Sequence, residues 1–354
     1  MTSPDFLLQL LETTSPSGWE TATQQCWKNH LAPTVDQIET DAYGNAWATL
    51  QGAQVNAPKI MLEAHADEIG FIIRHIDEKG FVSIAPIGGS DRTIAAARRI
   101  RIFGDCGEVT GIIGNTAIHL RAKDKDKLPE WHDLFVDVGA SSAKEVEALG
   151  LRVGCPAVYW DAPQLLPSGR IVGRAIDNRV GGYLIAKVLE NLAKGERPAF
   201  TTVAVNAVQE EIGSNGAMMV AHRLSPDLAI IFDVTHATDT PGINPKQHGN
   251  IVLGGGPSVS HGAANHAGLV AALMDVAKKE QIPLQHEAVS RTTSTDTDVV
   301  FTTRSGIPSM LISIPLRYMH SPSETIDLQD VDHAVQLVTR FIQTLPADSS
   351  LCNR

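Results

Sequence analysis

The stretch TTVAVNAVQEEIGSNGA, residues 201–217, decides how this chain reads. Thr201 to Val208 is an apolar run of the kind that forms a buried strand. Glu210 and Glu211 stand where that run ends, with no cluster of Arg or Lys nearby. Two adjacent carboxylates in such a place are costly unless positive charge neutralises them. His65 in MLEAHADEIG and Asp233 in AIIFDVTHA also follow apolar strand-like runs directly. Asp177 in GRAIDNRVGG precedes an apolar helix, and His320 in RYMHSPSE sits in the loop after a strand ending in ISIP. Imidazoles and carboxylates are the donors of hydrolytic zinc, cobalt or manganese sites.

Working outward, helices are expected from Pro4 to Leu11, with Phe6, Leu7, Leu10 and Leu11 on one face, and from a Ser17/Glu20 capping box to Leu31. DAYGNAWATL reads as a hairpin turning at Gly44-Asn45, and Lys59 to Ala64 as a buried strand ending at His65. From about Phe71 to Trp160 short apolar runs are separated by Gly and charged turns; only SSAKEVEALG, capped by Ser142 and stopped by Gly150, looks helical. Alternation then returns. A helix is expected from Asp177 to Ala193, strands at 201–208, 228–232 and Ser309 to Ile314, and helices near 266–280 and 329–345. This pattern implies an α/β sandwich around a mainly parallel sheet, split in sequence by a β-rich insertion. In such sheets sites form beyond the carboxyl ends of the strands, so five separated segments can converge on one crevice.

The chain has 354 residues, 43% hydrophobic and 19% charged, and a formal charge of -11 with no basic cluster. That balance argues against nucleic acid or an anionic membrane as partner. No run approaches the ~18 apolar residues of a membrane span, and the N-terminus reads as an amphipathic helix, so a cytoplasmic protein is expected. Cys26, Cys106, Cys155 and Cys352 are scattered and expected to be plain thiols. No Gly-x-Ser-x-Gly appears, which disfavours a serine hydrolase. Gly254 to Gly256 lacks the Lys-Ser/Thr of a phosphate loop.

Two divalent ions ~3.5–4 Å apart can polarise a carbonyl and hold a hydroxide between them. Such a pair needs one shared carboxylate, about two further ligands each, and a separate carboxylate as base. Two histidines, two terminal carboxylates, one bridging Asp and one free Glu meet that demand. Asp67 would accept the spare N–H of His65 and fix its tautomer.

MLEAHADEIGF, AIDNRVGG, QEEIGSNGA, IIFDVTHATDTPG and IPLRYMHSPSE together resemble the dinuclear-metal aminopeptidases of peptidase family forty-two, the glutamyl, deblocking and tetrahedral aminopeptidases. SPSGWE, DAYGNAWA, LGGGPSVS and STDTDVV extend the resemblance over essentially the whole chain. It implies a phosphorylase/hydrolase-like three-layer sandwich over residues 1–68 and 168–354, with an inserted, β-barrel-like dimerisation domain over 69–167. It further implies that His65 and Asp233 hold one metal, Glu211 and His320 the other, and Asp177 bridges them. Glu210 would be the general base and Asp67 would orient His65. Members often build twelve-subunit tetrahedral cages, so a dimer and a dodecamer are both expected forms. The chain departs from the family pattern at Asn178, where an Asp is usual, at Ser214-Asn215, where Leu-Arg is usual, and at Ala66, where a Met is common. None of these removes a ligand.

Asp296, His261 and Arg317 are candidates for substrate contact. Asp296 and Asp298 also read as a turn with a helix cap, and Arg317 with Tyr318 as steadying the His320 loop. The expected activity is release of the N-terminal residue from short peptides. The alternatives are a metal-dependent amidohydrolase acting on an N-acylated or modified dipeptide, and a non-catalytic oligomeric scaffold. A glycosidase is disfavoured, because it needs two free carboxylates rather than two metals.

Overall fold

A computed structural model describes residues 4–120, 128–346, 348 and 351; Cys352 lies outside them. Helices Asp5–Glu12 and Thr21–Leu31 come first. Strands β1 (Gln37–Thr40), β2 (Ala46–Leu50) and β3 (Lys59–His65) follow. Next come β4 (Gly70–Ile76), β5 (Val82–Ile87), β6 (Arg99–Gly104), β7 (Gly107–Ile113), β8 (Val136–Asp137) and β9 (Pro156–Tyr159). The short β10 (Gln164–Leu165) and β11 (Arg170–Gly173) lead to helix Ile176–Ala193. After it run β12 (Thr201–Ala207), β13 (Leu228–His236), β14 (Ser258–His261), β15 (Gln285–Ala288), β16 (Ser309–Leu316) and β17 (Glu324–Asp327), with helices Asn215–Leu224, Ala267–Glu280 and Leu328–Thr344 between and after them.

The main sheet has eight strands in the order β1-β2-β12-β3-β13-β16-β14-β15. Its centre, β12, β3, β13 and β16, is parallel; β2 and β14 run antiparallel to their inner neighbours. The four central strands are buried along almost their whole length, as a sheet covered on both faces requires. One face carries helices Asp5–Glu12, Thr21–Leu31, Ile176–Ala193, Ala267–Glu280 and Leu328–Thr344. The other carries Asn215–Leu224 and the short helix Thr297–Val300. The result is a three-layer α/β sandwich.

Helix Leu328–Thr344 shows why the pattern folds so. Val331, Ala334, Val335, Val338, Phe341 and Ile342 recur at three- and four-residue steps and are all buried; burying the Phe341 ring alone is worth roughly 1.5–3 kcal/mol. Helix Ile176–Ala193 lies closer to the sheet than a side chain permits: a Cβ on Gly181 would stand 2.7 Å from the Ala64 methyl on β3. Trp27, fully buried, anchors to the same helix through Nε1, which donates to the Gly182 carbonyl at 2.9 Å.

Between residues 70 and 159 a closed antiparallel barrel, β4-β5-β8-β7-β6-β9, has its own core of Phe71, Ile73, Val82, Ile100, Ile102 and neighbours. No described helix is long and apolar enough to cross a membrane.

Several local expectations need correction. Ser17 and Glu20 form no capping box: the Ser17 hydroxyl donates to Asp67, and Glu20 accepts from the Gly18 N–H. A buried acceptor across the structure outcompetes the local helix end. β13 runs to His236 rather than stopping at 232, because its ladder with β16 continues through Thr235↔Pro315. Asp233 therefore lies within a strand, not after one. Ile176–Ala193 begins irregularly, with Asp177 and Asn178 outside helical φ/ψ and a cis peptide bond between them.

Candidate functional site

At the carboxyl ends of β3, β12, β13 and β16 lies a cleft of about 570 Å³ whose walls include His65, Asp177, Glu210, Glu211, Asp233 and His320. Each is delivered by a different local device. His65 ends β3 and is 2% exposed. Asp233 stands on β13 opposite Ser313 of β16. Glu210 and Glu211 follow β12 beyond Gln209, whose φ of 60° turns the chain out of the sheet. His320, itself at φ 61°, comes from the loop between β16 and β17.

Asp177 stands at the centre. Its Oδ1 lies 3.2 Å from His65 Nε2, and its Oδ2 3.5 Å from His320 Nε2. Around His65, the Asp233 and Glu210 carboxylates each approach Nε2 to 3.9 Å. Around His320, Glu211 Oε2 comes to 3.4 Å. Two sets of donor atoms are each gathered within 4.8 Å: His65, Asp177 and Asp233, and Asp177, Glu211 and His320. Asp177 belongs to both. Glu210 belongs to neither.

The electrostatics show what the cleft demands. Burial, with the charges of Asp233, Asp296 and Asp177, pushes Glu210 up to about 9 against the pull of His65. Burial likewise pushes Asp233 up to about 8 and Glu211 well above the carboxylate range. For Asp177 burial is outweighed by its two histidine partners, which hold it low. In His65 burial opposes the charged ring, but Asp177 and Asp67 raise it well above normal. No Lys or Arg lines this cleft among the described residues. So many carboxylates facing one space call for added positive charge, and an imidazole–carboxylate set suits divalent cations of the zinc, cobalt or manganese kind.

A supporting layer fixes these groups. His65 Nδ1 is 3.1 Å from the Asp67 backbone carbonyl and 3.5 Å from its carboxylate. The Asp67 carboxylate accepts from the backbone N–H of Glu210 at 2.9 Å, that of Glu211 at 3.2 Å, and the Ser17 hydroxyl at 2.6 Å. One aspartate thus ties the His65 strand to the glutamate pair. Glu324, invisible as a functional residue in the sequence apart from its place four residues after His320, accepts from the backbone N–H of both His320 (2.9 Å) and Asp177 (3.1 Å). Gly88 and Gly89, just beyond β5 of the barrel, were not anticipated either, because their part is to lack side chains. A Cβ on Gly89 would fall 2.5 Å from His320 Nδ1, and the Gly89 carbonyl lies 3.2 Å from that nitrogen.

Asn178, fully buried, donates from Nδ2 to the Phe232 carbonyl at 2.7 Å, while its Oδ1 accepts from the Gly181 N–H. An ionised aspartate could not make the first bond. Ser214 lines the cleft. Asp296 is buried beside Glu63; burial and the charge of Asp296 push Glu63 well up. His261 pairs with His286 at 3.0 Å. Arg317 is held by both oxygens of Asp239, at 2.8 and 2.7 Å.

The sequence model of the M42 glutamyl aminopeptidase family matches residues 44–337. The chain is 34% identical to a lysyl aminopeptidase of Pyrococcus furiosus, over 96% of this chain and 97% of that one. An aminopeptidase from the archaeon Desulfurococcus kamchatkensis superposes with a TM-score of 0.91 at 34% identity, covering 99% of this chain and 96% of its own. The TET1 peptidase of Pyrococcus horikoshii, described as assembling into a tetrahedron or a large octahedral shell, superposes with a TM-score of 0.86 at 25% identity, over 96% and 99%.

Proposed function

The chain belongs to the M42 glutamyl aminopeptidase family of peptide hydrolases, and we propose that it is a two-metal aminopeptidase releasing the N-terminal residue of short peptides. The observation that carries the reading is Asp177, one carboxylate shared between a His65 group and a His320 group. His65 and Asp233 would hold one cation and Glu211 and His320 the other, with Asp177 common to both. Two divalent cations held there would supply Lewis-acid chemistry, acidifying a water and polarising the scissile carbonyl.

The chain's own residues supply the rest. Glu210 shares the cleft but stands outside both donor groups, which leaves its carboxylate free to take the water's proton and return it to the departing amine. Asp67 holds the Glu210 and Glu211 backbone through two N–H bonds and so fixes where both carboxylates emerge. Glu324 does the same for Asp177 and His320. Self-association through the barrel, as a dimer or a larger shell, is part of the proposal. Ile112 on β7 and Val153 beside β9 leave apolar surface exposed there, and the TET1 description supports assembly.

The test is hydrolysis of aminoacyl amides by metal-loaded protein, with free and N-acetylated amines compared. Cleavage of the free amines alone, abolished by chelation and restored by zinc, cobalt or manganese, is the expected result. Preference for the acetylated series would establish the amidohydrolase instead. Activity at full rate in protein shown to be metal-free would overturn the mechanism.

A further inference from the structure

Beyond the two histidine groups, the wall of the cleft includes Thr235 and Glu287. Thr235 is two residues past Asp233 on β13, so both side chains point to the same face, about 6.6–7 Å apart along the strand. Its hydroxyl donates to Glu287 Oε1 at 2.8 Å. That bond fixes one Glu287 oxygen beside Thr235, two residues along β13 from Asp233. Among the described residues no Lys or Arg pairs with Glu287, and none lines the cleft. The other acid in this part of the wall, Asp298, is already engaged: its two oxygens accept the Thr293 and Ser294 N–H groups at 3.0 and 2.9 Å and hold that loop.

We propose that Glu287 is a specificity-determining residue that selects peptides whose N-terminal side chain is basic, lysine or arginine. The inference rests on the aminopeptidase reading of the same cleft. A four-carbon ammonium stem extended from a residue at the metal groups spans the strand step to Glu287. The half-buried carboxylate gains a charge-assisted hydrogen bond there and keeps its Thr235 bond. A glutamyl side chain would meet a wall without Lys or Arg to receive it and with a carboxylate to repel it. A leucyl side chain would desolvate Glu287 without compensating it. The family's glutamyl description therefore does not carry over to this wall.

The experiment uses metal-loaded protein and lysyl, arginyl, leucyl and glutamyl p-nitroanilides. Wild type should favour the basic pair. In Glu287→Gln the lysyl-to-leucyl ratio of kcat/KM should fall about ten- to hundredfold, mostly through KM, with metal content unaltered. Glu287→Lys should reverse the order and favour the glutamyl substrate over the lysyl one. If all four substrates fell in parallel, Glu287 would be holding the shared α-ammonium group, and the proposal would be overturned; ratios that did not move would overturn it equally. A wild-type enzyme active on free amines without basic preference sinks this inference alone. One inactive on every free-amine substrate sinks the aminopeptidase reading as well.

Discussion

The two halves of the cleft, one around His65 and one around His320, are built by different means. His65 sits at the end of a buried parallel strand, and Asp233 within another, their positions set by ladder register. His320 and Glu211 come from loops, and the His320 side chain is 31% exposed. What the sheet does for the first half, three borrowed contacts do for the second: the Gly89 carbonyl from the barrel, the Glu324 carboxylate, and the Asp67 carboxylate under the glutamate backbone. Strands position side chains with little freedom, whereas loop-borne groups depend on whatever supports them. The barrel is therefore a working wall of the site, whatever it contributes to assembly.

The largest expected effect separates the adjacent glutamates, one facing each half. Glu210→Gln should cost about 10²–10⁴-fold in kcat while both cations stay bound. Glu211→Gln should instead empty the His320 half and leave the His65 half loaded. Metal content and turnover measured on both variants decide this; an emptied site in Glu210→Gln beside a loaded Glu211→Gln would exchange their roles.

A smaller effect should follow from Gly89→Ala. The added methyl must displace the His320 ring, which leaves the His65 half untouched, so one of two titratable metal sites should weaken about 10–100-fold. Equal weakening of both in a cobalt titration followed by absorbance would erase the distinction between the halves.

The smallest effect concerns the support beneath His65. Burial, with a contribution from Asp67, pushes Glu20 up to about 7 from an ordinary 4.5. The folded metal-free protein then binds a proton that the unfolded chain releases, so stability is lost as pH rises from 4.5 toward 7. Glu20→Gln keeps an acceptor for Gly18 and removes that loss. It should raise stability by roughly 1–3 kcal/mol above pH 7 and leave it unchanged near pH 4, as thermal melts at the two pH values would report. Equal gains at both would place the effect in packing rather than in ionisation.

What could be read from sequence follows the same division. Apolar runs announce strands, and a charged residue after such a run announces a strand end, so His65 and the glutamate pair were legible where they stand. Asp233 is legible as a residue, but the end of its strand is not, because the charged Asp233 interrupts the apolar run although β16 goes on pairing with Val234 and Thr235. The loop-built half left fainter traces. Gly88 and Gly89 act through absent atoms, Glu324 through backbone bonds, and Ser17 carries a capping signature that a distant carboxylate overrides. Asn178 looked only like a departure from a family pattern, yet its amide ties the Asp177 turn to β13. Arg317 looked available for substrate until Asp239 was seen to hold it.

The order of the ligands along the chain has a consequence for synthesis. By the time residue 233 has left the ribosome, His65, Asp177, Glu210, Glu211 and Asp233 all exist, yet the second group of donors still lacks its histidine. The last strand of the parallel core, β16, and His320 just beyond it arrive together. Asp233 takes its register from β16 and Asp177 a backbone bond from Glu324, so neither donor group has all its supports until the chain beyond His320 has been made. Any product terminated before residue 320 would lack the His320 imidazole and the Glu324 carboxylate that holds the Asp177 backbone.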